Sequence, residues 1–197
     1  MNNKTEKRKS IIADKAIDVF FEKGYKSTSL KDIATEADIS KAGIYHYFKT
    51  KEEILAYIFI RYESESFKAY QTAKKDLPVL ESDPVNKLKF IIRTYAKISL
   101  RNTKVAILSL RERHQLTGAN YEKHLKEEKK IFGILKNEIS AIPIIKKTYD
   151  INALVFQIIS MSVWIGYWQK ENGFLTRQEV IEQNINVICH GVFSKTE

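Results

Sequence analysis

Cysteine is almost missing from this sequence: Cys189 stands alone. No intramolecular disulfide can form, which suits a reducing, cytoplasmic compartment. Its neighbours are apolar, so a buried structural thiol is expected rather than a nucleophile. Proline occurs three times and glycine seven times in 197 residues. Helix formers dominate, and no alternating apolar pattern bounded by turn signals appears, so the fold class is all-α. The first ten residues are polar and lack the apolar run of a signal peptide. There is no G-x-S-x-G, no P-loop, no G-x-G-x-x-G and no H-E-x-x-H, which argues against an enzyme. His46, His114, His124 and His190 are scattered without metal-ligand spacing. Neither a metal nor a cofactor is expected.

What the chain has is positive charge, +9 net from 33 Lys+Arg and 24 Asp+Glu. That balance suits an anionic partner. Its distribution does not single out one region: residues 1–51 carry 11 basic and 7 acidic residues, and the remainder carries 22 and 17. The basic cluster Lys4, Lys7, Arg8 and Lys9 reads either as a flexible arm or as a solvated terminus. Placement is more telling than total charge.

From Thr28 to Leu55 the chain runs T-S-L-K-D-I-A-T-E-A-D-I-S-K-A-G-I-Y-H-Y-F-K-T-K-E-E-I-L. Ser29 and Asp32 form a capping-box-like pair ahead of Leu30, Ile33, Ala34 and Ala37, which share one helical face. Asp38 and Ile39 leave room only for a turn. Ser40 can cap a second helix, Lys41 to Tyr47, with Ile44 and Phe48 inward. Thr50 and Glu53 form another capping box that starts a helix at Lys51. Two short helices joined by a tight turn make a helix-turn-helix, whose second helix enters the major groove. Gly43 costs about 1 kcal/mol of helix propensity and suits close backbone approach to DNA. Tyr45 and Tyr47 offer hydroxyls to phosphates on rigid rings. Lys51 is unfavourable beside a helix N-terminus unless an anion binds there.

At these residues the chain resembles the TetR family of bacterial transcription regulators. The likeness runs from about Ile11 to Leu55, through Ala16, Phe20, Gly24 and Tyr25, then T-S-L-x-D-I-A, then G-I-Y-x-Y-F-x-x-K-E-E-I-L. The resemblance implies that Lys41, Gly43, Tyr45 and His46 sit on the recognition helix, and that Tyr47 and Lys51 meet phosphates. It implies further contacts from Thr28, Ser29 and Lys31. Ser40, Ala42 and Lys49 complete the expected DNA-binding set. Asp38 departs from the glycine usual in the family's turn, at a small cost, since Asp tolerates the left-handed conformation better than most residues.

Beyond this segment about six more helices are expected, nine in all. Helix 1 should end at Gly24, and a helix from Lys51 to about Lys75 leads into the rest. Asp83-Pro84 starts another, ending near Arg101, and a shorter one covers Lys104–Leu110. A polar helix from Tyr121 to Ile142 is broken by Pro143. Asp150 caps an uncharged helix over Ile151–Trp168, continuing to about Gly173. The Thr176–Glu179 capping box opens the last, to about Val192. A helix apolar on all sides must be buried on all sides, so Ile151–Trp168 calls for a core and a second surface. A membrane span is disfavoured by Asn152, Gln157, Ser160 and Ser162 and by the lack of a second apolar stretch. A four-helix dimer interface is expected through Ile158, Ser162, Ile165, Ile181, Ile185, Ile188 and Val192, and the family dimerises this way.

The division expected is residues 1–51 for DNA binding and 52–197 for ligand binding and dimerisation. Tyr95, Phe132, Phe156, Trp164, Tyr167 and Trp168 are candidates to line an apolar cavity, with Arg111, Arg113 and His114 as polar anchors. The C-terminal half also looks like a TetR branch sensing acyl-CoA or related lipid thioesters, through L-R-E-R-H-Q-L-T-G-A-N-Y and W-I-G-Y-W. The function expected is a homodimeric repressor of operator DNA, released by a small apolar or amphipathic effector. The alternative is a helical membrane-surface or lipid-carrier protein without sequence-specific DNA binding.

Overall fold

Helix α1, Asn3–Lys23, buries Ile12, Ala13, Ala16, Val19 and Phe20 at helical spacing. It stops at Gly24, whose φ of +81° is the left-handed conformation glycine adopts without a Cβ penalty. Lys4, Lys7, Arg8 and Lys9 lie in its first turns. The cluster is therefore helical and not an extended arm.

The computed structural model describes residues 3–75, 83–143, 145, 149–169 and 172–192. Among these, α1 is followed by α2 (Leu30–Glu36), α3 (Lys41–Tyr47), α4 (Lys51–Ala73), α5 (Pro84–Arg101) and α6 (Thr103–Glu112). A 3-10 turn over Arg113–Gln115 leads to α7 (Gly118–Ser140), α8 (Ile151–Trp168) and α9 (Arg177–Val192). The fold is all-α, with nine α-helices among the described residues. The start signals hold. Asp83 accepts from the backbone N–H of Val85 and Asn86, with Pro84 first in α5. Asp150 accepts from Ala153 at 2.8 Å. Thr176 and Glu179 exchange the two bonds of a capping box. The sixth and seventh helices begin and end up to three residues from the expected positions, because end residues are set by local bonding that periodicity does not register.

Two compact units divide the chain: residues 1–64 with 104–128, and 65–103 with 129–197. Helices α4 and α7 each begin in the first and end in the second. In the first unit Ile12, Phe20, Ile33, Ala34, Ile44, Phe48, Leu55 and Phe59 are buried. Lys104 pairs with Asp18, and Arg61 with Asp14.

The second unit packs α5, α8 and α9 around Leu88, Ile91, Tyr95, Leu154, Val155, Ile158, Ile185 and Cys189. Arg93 grips Glu182 through two bonds of 2.7 Å. Gly166 lets α8 approach Thr103, since a Cβ there would lie 2.5 Å from Thr103 Cγ2.

The expected pairing residues need correction. Ile158, Ser162, Ile165, Ile181, Ile185 and Ile188 are all buried inside one chain; the side chain of Val192 lies outside the described residues. Their spacing marked the face turned to the chain's own core, which an isolated periodicity cannot distinguish from a face turned to a partner. Nor is α8 buried on all sides. Phe156, Trp164, Tyr167 and Trp168 are each at least half exposed, with Trp164 stacked on Tyr167 at 4.6 Å. By length and composition this helix, and no other among the described residues, could cross a membrane.

Candidate nucleic-acid interface

Helix α3 is only seven residues long, too short to persist alone. It is held from both ends and from beneath. Ser40 Oγ accepts from the Gly43 N–H at 3.0 Å. Lys49 Nζ donates to the Tyr45 carbonyl at 2.6 Å. Ile44 and Phe48 are buried below it. A Cβ on Gly43 would meet Ser40 Oγ at 3.2 Å, so glycine also preserves the N-cap from within. Lys41, Ala42, Tyr45 and His46 are left exposed along the outer face, with His46 edge-on to the half-buried Tyr47.

The preceding turn is equally determined. Asp38 has φ +50°, a left-handed geometry that its short polar side chain tolerates. Ser29 caps α2 by accepting from Asp32 N–H at 3.2 Å, while Asp32 accepts from Ser29 N–H at 2.8 Å. The Ser29 hydroxyl and backbone hold Asp32 down to about 2. Glu53 N–H donates to Thr50 Oγ1, but the Glu53 carboxylate reaches the N–H of Lys49, one residue before the expected partner. Ser29, Lys31, Ser40 and Lys49 are exposed.

Two expected DNA contacts have other occupations. Thr28 is 2% exposed and donates its hydroxyl to the Gly24 carbonyl at 2.8 Å. Lys51 places its ammonium on the carbonyls of Tyr25, Lys26 and Thr28, at 2.8, 3.1 and 2.9 Å. It also lies 4.5 Å from the centre of the Tyr25 ring. All three ammonium protons are thus engaged. The anomaly of a lysine in a first turn is resolved by carbonyls of the α1–α2 loop, not by an external anion.

The candidate effector residues fall in both units, Arg111, Arg113 and His114 in the first and Tyr95, Phe132, Phe156, Trp164, Tyr167 and Trp168 in the second. Tyr95 is core. Phe132 packs on Phe156 at 4.7 Å, but Phe156, Trp164 and Trp168 face outward. Arg111 and His114 border an open depression with Gly24, Tyr25, Lys26 and Ser27. Arg113 pairs with Glu128 at 2.7 Å.

Sequence reasoning missed two groups of polar residues in the first unit. Glu52 accepts from Thr117 N–H at 2.9 Å, from the Thr117 hydroxyl and from Asn120 at 3.1 Å, and the Thr117 N–H foremost holds its carboxyl low. Around Arg113, the imidazole of His124 is fully buried with both nitrogens unpartnered, and Arg113 Nε is buried and unpartnered too. Burial, then Arg113, pushes His124 down to about 4. Burial first, then Glu128 and Glu127 against Arg113, pushes Glu63 up to about 7. The available signal was Glu63 itself, one helical turn after Phe59 on an otherwise apolar stripe.

A capped two-helix hairpin presenting a short, exposed second helix is the geometry of a helix-turn-helix protein. Residues 12–58 match the family model of bacterial regulatory proteins of the tetR family, and 81–192 match the tetracyclin repressor-like C-terminal domain. The chain belongs to the TetR family. It is 24% identical over 190 residues to the HTH-type transcriptional repressor KstR2 of Mycolicibacterium smegmatis, covering 94% of this chain and 90% of that protein. Among solved structures, a tetR-family regulatory protein from Rhodococcus RHA1 superposes with a TM-score of 0.82 at 20% identity, over 95% of this chain and 97% of that one. AibR, in complex with isovaleryl coenzyme A and operator DNA, gives a TM-score of 0.74 at 24% identity, over 91% and 97%. These relatives are regulators, and none of the matches indicates a catalytic family.

Proposed function

We propose that this chain is a homodimeric repressor whose α3 reads an operator in the major groove. The observation that carries the proposal is the row Lys41, Ala42, Tyr45 and His46, exposed on a helix clamped by Ser40, Lys49, Ile44 and Phe48. Gly43 sits at the close-approach position, and Tyr47 with the exposed Ser29, Lys31 and Lys49 supplies the phosphate contacts. In this assignment residues 1–51 read DNA, and 52–197 sense and dimerise. The pairing surface is the outward face of α8, Phe156, Trp164, Tyr167 and Trp168, with Val187 of α9. A two-fold dimer would set two α3 helices about 34–36 Å apart.

The effector is an apolar or amphipathic molecule, with acyl-CoA thioesters the class to try first. The support is the likeness to AibR, seen with isovaleryl coenzyme A. An effector weakens DNA binding only by its differential affinity for the two states.

The test is fluorescence anisotropy on DNA from upstream of the chain's own gene, against shuffled DNA. Lys41→Ala with Tyr45→Ala should cost about 2–4 kcal/mol and relax sequence preference. Trp164→Glu should convert a dimer to a monomer in sedimentation. Equal affinity for shuffled DNA, together with binding to anionic vesicles, would favour the membrane-surface alternative that the exposed α8 aromatics also fit.

A further inference from the structure

Lys51, Glu52 and Glu53 open α4, and each is tied to a different element of the first unit. The Lys51 ammonium sits on carbonyls of the α1–α2 loop. The Glu53 carboxylate accepts from the Lys49 N–H at 2.7 Å, in the link from α3. Glu52 reaches α7. Its carboxylate accepts from the Thr117 N–H at 2.9 Å, from the Thr117 hydroxyl at 3.2 Å and from the Asn120 side chain at 3.1 Å. Thr117 stands immediately before α7, and its carbonyl accepts from the N–H groups of Asn120 and Tyr121. A capping box closes within its own helix when Glu or Gln stands three residues after the cap, as Thr176 and Glu179 do at α9. At α7 that place is held by Asn120, which donates to Glu52 instead. The carboxylate of this box is thus supplied by another helix, from a residue 65 positions earlier in the chain.

We propose that Glu52 is a positioning residue for DNA binding: by fastening the first turn of α4 to the start of α7, it holds α3 in its reading posture. Phe48, the C-cap on which α3 ends, is joined to that turn by Lys49 and Thr50 alone. Helices α4 and α7 both continue beyond the first unit, and Glu52 bonds their heads together. A shift of α7 against α4 is passed to α3 through this bond, and without it the head of α4 and α3 turn more freely. The operator output rests on the DNA-binding reading above; the fastening of α3 does not.

Electrostatics gives the proposal a distinguishing sign. A carboxylate repels DNA phosphates, so by charge alone its removal tightens every DNA complex. Removal of a positioning carboxylate loosens the operator complex instead. The experiment measures affinity for operator and for shuffled DNA by anisotropy, in wild type, Glu52→Ala, Glu52→Gln, Asn120→Ala and the Glu52→Ala/Asn120→Ala pair, at a temperature where melting shows all of them folded. Glu52→Ala should loosen operator about fivefold and leave shuffled DNA unchanged or slightly tighter. Glu52→Gln should restore most of the loss, because its amide oxygen still accepts from Thr117. Asn120→Ala should loosen operator less, and add nothing once Glu52 is gone. A Glu52→Ala protein that binds operator as tightly as wild type, or tighter, overturns the assignment. So does an equal loss on operator and shuffled DNA, or an Asn120→Ala effect that adds in full. Hydrogen exchange of the Ile44 and Phe48 amides, which donate to the Ser40 and Ile44 carbonyls, reads the posture of α3 without DNA. It should be faster in Glu52→Ala and near wild type in Glu52→Gln; exchange that Glu52→Ala leaves unchanged overturns the fastening. Should wild type itself not prefer operator over shuffled DNA, the DNA-binding reading falls, and the exchange rates alone decide the role of Glu52.

Discussion

Lys51→Met keeps the apolar stem of the side chain and removes its ammonium. The carbonyls of Tyr25, Lys26 and Thr28 then lose a shared donor at 2.8–3.1 Å. A hydrogen bond is worth about 1 kcal/mol net, and partial exposure of this site halves that, for about 1.5 kcal/mol in all. Losing the ammonium beside the Tyr25 ring adds about 0.5–1 kcal/mol. A cost of about 2 kcal/mol lowers the melting temperature of a chain this size by about 4–8 °C. The salt dependence of DNA binding should barely move, because no phosphate contact has been deleted. A phosphate-bound lysine behaves oppositely: its removal lowers the salt slope by about one unit and leaves melting alone. The decisive pair of measurements is calorimetry of the free protein and a salt titration of operator affinity. A Lys51→Met protein that melts with wild type and shows a reduced slope refutes the structural assignment.

Asp38→Gly relieves a left-handed non-glycine residue at φ +50°, and should stabilise by about 0.5 kcal/mol in urea titrations. Gly166→Ala forces a Cβ to within 2.5 Å of Thr103 Cγ2; it should cost about 1–3 kcal/mol and be partly rescued by adding Thr103→Ala. Acidification will loosen α2 specifically. Asp32 is held at about 2 by Ser29, so its contribution is full above the ordinary value of 3.8 and disappears as pH falls through 2. Hydrogen exchange of the α2 amides in wild type and Ser29→Ala, compared over that range, checks this.

Legibility from sequence tracked the range of the interactions involved. The caps at Ser29, Ser40, Asp83, Asp150 and Thr176 are encoded within three residues, and all appear. So are the stop at Gly24 and the inward positions Ile44 and Phe48. Lys51 was conspicuous for the right reason, its clash with a helix N-terminus, but its partners lie 23 to 26 residues away. Ile158 and Ile185 show the same limit: period reveals that a face is apolar, and only packing reveals what covers it. The Glu63–Arg113–His124 group was hidden because its members come from three elements, and only Glu63 stands out within its own helix.

The shortness of α3 separates two burdens that most binding helices carry together. Its order is lent by Ser40, Lys49, Ile44 and Phe48, while Lys41, Ala42, Tyr45 and His46 contribute little to holding it. Those four positions can therefore drift in evolution, or be randomised in a library, with folding left nearly intact. A lineage built on this scaffold can acquire new target sites by changing a handful of codons, and a selection for altered operators should recover folded proteins at high frequency.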